Sequence, residues 1–407
     1  MLLASGSNVP DLIQFNNNPV LTDLAKSGAV TALDDALARY GADLLAFYPD
    51  FVINTGKVDG SQYWLMRYKE DQYIGTMAIR KDVLDQLGLD VPATMDEWES
   101  VLAAVKENTD LVPLYVDLVA SAGMRSLTNF AHAMDVGIVD TTNFFLIENG
   151  ECVLPILSDD GFAFIEKMHD WYEKGYIENE FVTREDQMDQ FLAGNGFSMF
   201  LDYTQVARNM PTFFETNPDA EMVFVDPPVS PNGLSGVTCG NLSVAMNWFV
   251  PASNADKADL AIQFLNAALS KDVINLICYG YEGENWEMVD GIPTFLENKP
   301  EDYRGYYSRV VLDGSWDEAW ESSNGVYDLC RNLTKFTNLN EIGSVPSDSC
   351  DTYHEMSTEI NNYIKDEVIR LIVEGVDEDS FATLKAEVMD MGASAIIDEL
   401  NDWQATK

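Results

Sequence analysis

Along this chain the spacing of apolar residues switches between a period of two and a period near 3.6, and each switch predicts a strand giving way to a helix. The clearest run is Ile74 to Lys106. Ile74, Met77 and Ile79, with β-branched Thr76 among them, suit a short buried strand. Arg80-Lys81-Asp82 then leads into a helix with Asp82 as its N-cap and Val83, Leu84 and Leu87 on one side, and Gly88 stops it. Thr94 and Glu97 form a T-x-x-E capping box, after which Trp98, Val101, Leu102 and Val105 fall on one helical face.

The same reading places a buried strand at Leu12 to Phe15, then Asn18 as N-cap and Pro19 as first residue of a helix, with Gly28 and Gly41 closing two short helices. Phe164, Ile165, Met168, Trp171 and Tyr172 recur at helical spacing between Asp160 and Lys174, which puts Trp171 in the core, and Gly175 ends that helix. A helix at Glu185 to Ala193 precedes a strand, Phe197 to Leu201, whose end delivers Asp202, Tyr203 and Thr204. Met222 to Val225 and Leu242 to Val250 are further strands, and Asn254 caps a helix carrying the stripe Ala258, Ala261, Phe264, Leu265 and Ala268. From Tyr353 onward the pattern is helical, broken at Gly375. Strand followed by helix, repeated, predicts an α/β fold with parallel sheets. Ligands then sit beyond the carboxyl ends of strands, which makes Asn16, Asn17, Asp202 and Tyr203 candidates by position.

Composition narrows the class. A chain of 407 residues, 46% hydrophobic, buries a sizeable core, and with no flexible linker it suggests lobes joined by several crossing strands. Its 68 acidic against 24 basic residues give a formal charge of −44, spread along the chain. Such a surface repels phosphate, so nucleic acid is excluded as a partner, and neutral or cationic ligands are favoured over polyanions unless Arg67 and a few neighbours form a basic pocket. No apolar run reaches the length of a membrane span. Five cysteines lack metal-ligand spacing; Cys278 sits among Ile274, Leu276 and Ile277 as a small hydrophobe, and a disulfide involving Cys330 and Cys350 stays open. H-E-x-x-H, G-x-S-x-G, P-loop and G-x-G-x-x-G motifs are absent, and His132, His169 and His354 take core or surface roles by default. No catalytic residue, metal or cofactor is assigned, because so many carboxylates generate almost any catalytic spacing by chance.

Four stretches in order resemble extracellular solute-binding proteins of family 1, the binding components of bacterial ABC importers, mostly for sugars. Ile79 to Leu89 followed by Pro92 to Trp98 is similar to that family's "I-R-K-D-W-L-D-x-L-G-L, P-x-T-x-D-E-F". Asp59-Gly60-Ser61-Gln62-Tyr63-Trp64 resembles its "D-G-K-x-Y-G" hairpin, Gly194 to Met199 its "G-K-A-G-M" strand, and Tyr279 to Trp286 its "Y-G-I-E-G-x-H-Y". Met1 to Gly6 with Pro10 to Ile13 resembles "L-M-L-A-S-G-x-x-P-D-I-I", which in the family follows an export signal, a lipidated cysteine, a first strand and a first helix. The resemblance therefore implies a chain that begins internally, and a protein lipid-anchored at the extracellular face of the cell membrane.

The resemblance also implies architecture and function: a periplasmic-binding-protein-like (Venus flytrap) α/β fold, two lobes facing a cleft, with a helical C-terminal part. On this sequence lobe I takes residues 1–75 with 249–330, and lobe II takes 76–248 with 331–407. The implied activity is capture of an oligosaccharide or modified sugar and its delivery, by a monomer, to ABC permease transmembrane subunits. Sugars stack their C–H faces on aromatic rings while their hydroxyls pair with polar side chains. Trp64 and Arg67 after the hairpin, Tyr203, Trp248 on a crossing strand, and Glu284 and Trp286 after Gly283 join the candidates. Trp64 is either a stacking platform or a shield for the hinge; Trp316 and Trp320 either stack on ligand or staple the lobe. Some family members carry a D-x-D-x-N-G calcium loop where this chain has Lys106 to Pro113, so no calcium is expected there. The rival readings are a secreted glycoside hydrolase and a binder of peptides or lipids.

Overall fold

The computed structural model describes residues 8–15, 17–68, 76–116, 118, 124–139, 143–201, 203–239, 243–298, 318–323, 325, 326, 328, 337–345 and 349–407. Its strands are β1 (Ile13–Phe15), β2 (Lys57–Val58), β3 (Ser61–Gln62), β4 (Trp64–Tyr68), β5 (Thr76–Arg80), β6 (Val112–Tyr115), β7 (Leu146–Glu148), β8 (Glu151–Val153), β9 (Gly196–Leu201), β10 (Met222–Val225), β11 (Val237–Cys239), β12 (Ser243–Phe249), β13 (Trp286–Val289), β14 (Ile292–Phe295) and β15 (Thr337–Leu339). Its helices are α1 (Asn18–Lys26), α2 (Asp34–Tyr40), α3 (Ala42–Phe47), α4 (Asp50–Asn54), α5 (Lys81–Leu87), α6 (Met95–Asn108), α7 (Arg125–His132), α8 (Asp159–Glu173), α9 (Gln187–Leu192), α10 (Tyr203–Thr216), α11 (Ala258–Ala267), α12 (Lys271–Tyr279), α13 (Glu318–Ser323), α14 (Asp351–Glu374), α15 (Glu378–Val388) and α16 (Ser394–Gln404). The chain divides into two compact units, residues 1–72, 241–323 and 344–354 in the first and 73–240, 324–343 and 355–407 in the second.

The first unit is built on a three-stranded sheet, β1-β12-β4, in which β12 runs antiparallel to both neighbours. In place of the expected parallel pairing, β12, which follows the second unit's first segment (73–240), runs antiparallel to two strands laid down before that segment. Both faces of this sheet are covered. Trp64, Leu65 and Met66, adjacent on β4, are all buried in one core with Leu21, Leu44, Val52, Ile262 and Leu265. The Asp59-Gly60 turn joins β2 to β3 with both residues at positive φ, 49° and 83°, a conformation whose twist matches a two-residue hairpin. Asn17 rather than Asn18 caps α1: its side-chain oxygen accepts the Val20 N–H at 3.0 Å, and Pro19 occupies the second helical position. Asn254 does not cap α11, because its side-chain amide donates instead to the Val9 carbonyl at 3.0 Å and the Asp11 carboxylate at 2.8 Å.

The second unit carries the sheet β10-β5-β9-β6, antiparallel except where β6 pairs with β9. Thr94 and Glu97 make the reciprocal capping box at the start of α6. Asp82 is not the cap of α5: its carboxylate is held by the Arg80 guanidinium at 2.6 and 2.8 Å and by the Glu221 N–H at 3.1 Å, so Arg80 is the capping residue and Asp82 sits in the first turn. Trp98 of α6 meets Phe130 of α7 edge-on at 5.3 Å, and Phe130 meets Trp171 of α8 at 5.0 Å. That ladder of buried rings locks three helices together. The C-terminal helices break at Gly375 and again at Gly392, both at positive φ, and the Asn401 side chain anchors α16 by accepting the Cys152 N–H at 2.6 Å. Cys330 and Trp316 lie outside the described residues.

Candidate functional site

In the first unit the pleat sorts the predicted residues onto two faces. Gln14 of β1, Trp248 of β12 and Leu65 of β4 stand in one cross-strand row, and Arg67 lies two residues beyond Leu65 on the same face. Trp64 pairs with Phe249 and therefore belongs to the opposite face. Trp64 and Arg67 are both 0% exposed, whereas Trp248 is half-buried against the core. Trp64 is thus part of the packing beneath the sheet. Asn17 is exposed at the end of β1; Asn16 lies outside the described residues.

Asn247 was missed by sequence reasoning. It is fully buried, donates from its side-chain nitrogen to the Asn18 side-chain oxygen at 2.6 Å, and among the described residues its own side-chain oxygen has no hydrogen-bond partner. An unused acceptor beside the N-terminus of α1 can receive a hydroxyl proton. The available signal was a lone asparagine inside the apolar run Val244 to Val250. Beneath the same sheet the Tyr48 hydroxyl donates to the Met66 carbonyl, and burial pushes its pKa far up, so it stays a neutral donor.

Glu284 and Trp286 occupy a separate part of this unit. Trp286 is buried with Cys278, Tyr279 and Ala319 and donates its ring N–H to the Gly280 carbonyl at 3.1 Å; Glu284 is exposed. Tyr203, the first residue of α10, belongs to the second unit; Asp202 lies outside the described residues.

The second unit contains groups that bear on catalysis. His132 is buried, with Nδ1 2.7 Å from the Gly236 carbonyl and Nε2 3.1 Å from the Ile138 nitrogen. Burial pushes its pKa down to about 4 against the opposing pull of the carbonyls of Gly236 and Ile138. A neutral imidazole with both nitrogens turned to backbone is a structural clamp, not a base facing substrate. Burial first, and the nearby Asp135 second, raise the Glu148 carboxyl above the usual range, and the Ser230 hydroxyl donates to Asp135. Among the described residues no three His, Cys, Asp or Glu side chains gather as metal ligands, and no single helix is long and apolar enough to cross a membrane.

Comparison with known proteins agrees with this architecture. The model of the bacterial extracellular solute-binding protein family matches residues 2–274, and the chain belongs to that family. Lipoprotein LipO of Bacillus subtilis is 22% identical over 437 residues, covering 100% of this chain and 84% of the relative. A carbohydrate ABC transporter substrate-binding protein of Streptococcus pneumoniae is 22% identical over 331 residues, 80% of this chain and 61% of the relative. Among solved structures, an HMO-binding, ABC-transporter-associated solute-binding protein of Bifidobacterium longum infantis superposes with a TM-score of 0.72 at 20% identity, over 99% of this chain and 88% of that one. The Streptococcus pneumoniae substrate-binding protein FusA in complex with kestose gives 0.71 at 16% identity, over 99% and 89%. The fold is that of the two-lobed solute-binding proteins.

Proposed function

We propose that this chain is the extracellular, lipid-anchored, monomeric binding component of an ABC importer, capturing an oligosaccharide or modified sugar and passing it to the transmembrane permease subunits. The supporting observation is the family match joined to a fold shared, over 99% of the chain, with proteins whose ligands are oligosaccharides. Binding energy selects the state that the permease recognises. Asn17, Trp248 and Glu284 of the first unit, with Asn16, and Asp202 and Tyr203 of the second are the candidates for hydrogen bonds and a ring face; Arg67, fully buried, holds its place in the sheet instead. Trp64 and Trp286 hold the walls behind them.

No covalent step is involved, so ligand leaves as it arrived. The observation favouring a hydrolase instead is the Asp135–Glu148 pair, in which burial and the neighbouring Asp135 charge raise the Glu148 carboxyl above its usual value. Incubation with kestose and with chromogenic glycosides, followed by chromatography, separates the two readings. Unchanged sugar is expected; product formation abolished by Glu148→Gln would establish the hydrolase.

A further inference from the structure

The turn after α12 displays one aromatic ring while hiding its neighbours. Tyr279 and Trp286 are 4% and 5% exposed and meet edge-on at 5.6 Å, yet Tyr281, between them in sequence, is 64% exposed. A floppy loop does not account for this. The Asn285 side-chain oxygen accepts the Tyr281 N–H at 2.8 Å while its nitrogen donates to the Asn298 carbonyl at 2.7 Å. The Tyr281 carbonyl accepts the N–H groups of Glu284 and Asn285 at 3.2 and 2.8 Å, and Gly283 N–H closes on the Trp286 carbonyl at 2.7 Å. Gly280 and Gly283 both sit at positive φ, 83° and 82°, and a Cβ on Gly280 would stand 2.4 Å from the Asn285 side-chain oxygen. The turn therefore requires glycine there to hold its shape.

We propose that Tyr281 is a stacking platform for one ring of a neutral oligosaccharide, with the flanking Glu282 and Glu284 carboxylates accepting hydrogen bonds from its hydroxyls. The assignment rests on the carbohydrate-binding reading above and narrows it to ligand charge and to a residue. A phenol ring held on a fixed turn presents a large apolar face with few rotamers to freeze, which is the economical way to hold a sugar's C–H face. Glu282 and Glu284, both exposed, with Glu287 and Asp290 exposed on the adjoining hairpin, make a rim of acceptors. Such a rim suits a polyol and opposes a uronate, whose carboxylates would meet like charge.

Isothermal titration of the wild-type chain, Tyr281→Phe and Tyr281→Ala against kestose, lacto-N-tetraose, Man5GlcNAc and an alginate oligosaccharide tests this. The wild type binds at least one neutral probe and not the alginate oligosaccharide; Tyr281→Phe keeps affinity within about twofold, and Tyr281→Ala loses roughly tenfold with an unchanged melting temperature. Undiminished binding by Tyr281→Ala overturns the platform and leaves the carbohydrate reading intact. Preference for the alginate oligosaccharide overturns the neutral-ring assignment, and no binding by the folded wild type overturns the carbohydrate reading and the platform together.

Discussion

Acidification should loosen the second unit through one histidine. The His132 pKa is pushed down from 6.5 in the open chain to about 4 by burial, while its hydrogen bonds to Gly236 and Ile138 hold the neutral ring in place. Between those two values the unfolded chain binds a proton that the folded chain refuses, so stability is complete above about pH 6.5 and falls as pH drops toward 4, where this group's contribution levels off. Each pH unit of difference is worth about 1.4 kcal/mol, so the loss across the window is about 3 kcal/mol, a large part of a domain's ordinary 5–15 kcal/mol. Carboxylates titrate over part of the same range and relieve the −44 charge, so the histidine is isolated by difference. Urea unfolding of the wild type and His132→Gln at several pH values gives the two slopes, and proton NMR of the three histidine rings gives the pKa directly. The variant should lose the extra dependence between pH 6.5 and 4. A ring titrating near 6.5, with identical slopes in both proteins, would refute the clamp.

Trp64→Ala empties a fully buried site in the core of the first unit and should cost about 3–5 kcal/mol in denaturant unfolding; a loss below about 1 kcal/mol would mean the ring is not packed as described. Glu99 accepts from Lys174 at 2.8 Å and Lys167 at 2.9 Å, which lowers its pKa to about 2. Its folded pKa lies below the unfolded 4.5, so these two ion pairs stabilise above pH 4.5 and fade as pH falls toward 2. With both lysines partly in water, Glu99→Gln should cost only about 1 kcal/mol at pH 7, diminishing in 1 M salt; a salt-independent loss would point to packing instead.

Local hydrogen bonding was legible in the sequence. The Thr94–Glu97 capping box, the turn at Asp59-Gly60, and Gly88 at φ 67° closing α5 each need residues no more than a few positions apart. Strand partnership was not, because it is decided by segments far away in the chain. Gln14 meets Trp248 across the sheet, and Asn18 finds Asn247 from 229 residues away. Asp82 looked like a cap until Arg80 and a backbone N–H at Glu221, 139 residues on, claimed its carboxylate. The candidate site divides the same way. The resemblance to sugar-binding proteins pointed to aromatic rings and polar side chains, but which rings turn inward depends on the pleat and on glycine geometry. Within one turn the larger ring, Trp286, is buried and Tyr281 is displayed.

As the binding component of an importer, this chain should bind a carbohydrate and release it unchanged, which tryptophan-fluorescence titration with kestose, lacto-N-tetraose and Man5GlcNAc, followed by recovery of the sugar from the complex, would check. Saturable binding at micromolar concentration or tighter, with the recovered sugar intact, is the expected result. A folded protein that leaves every sugar unbound, or returns it cleaved, would contradict it.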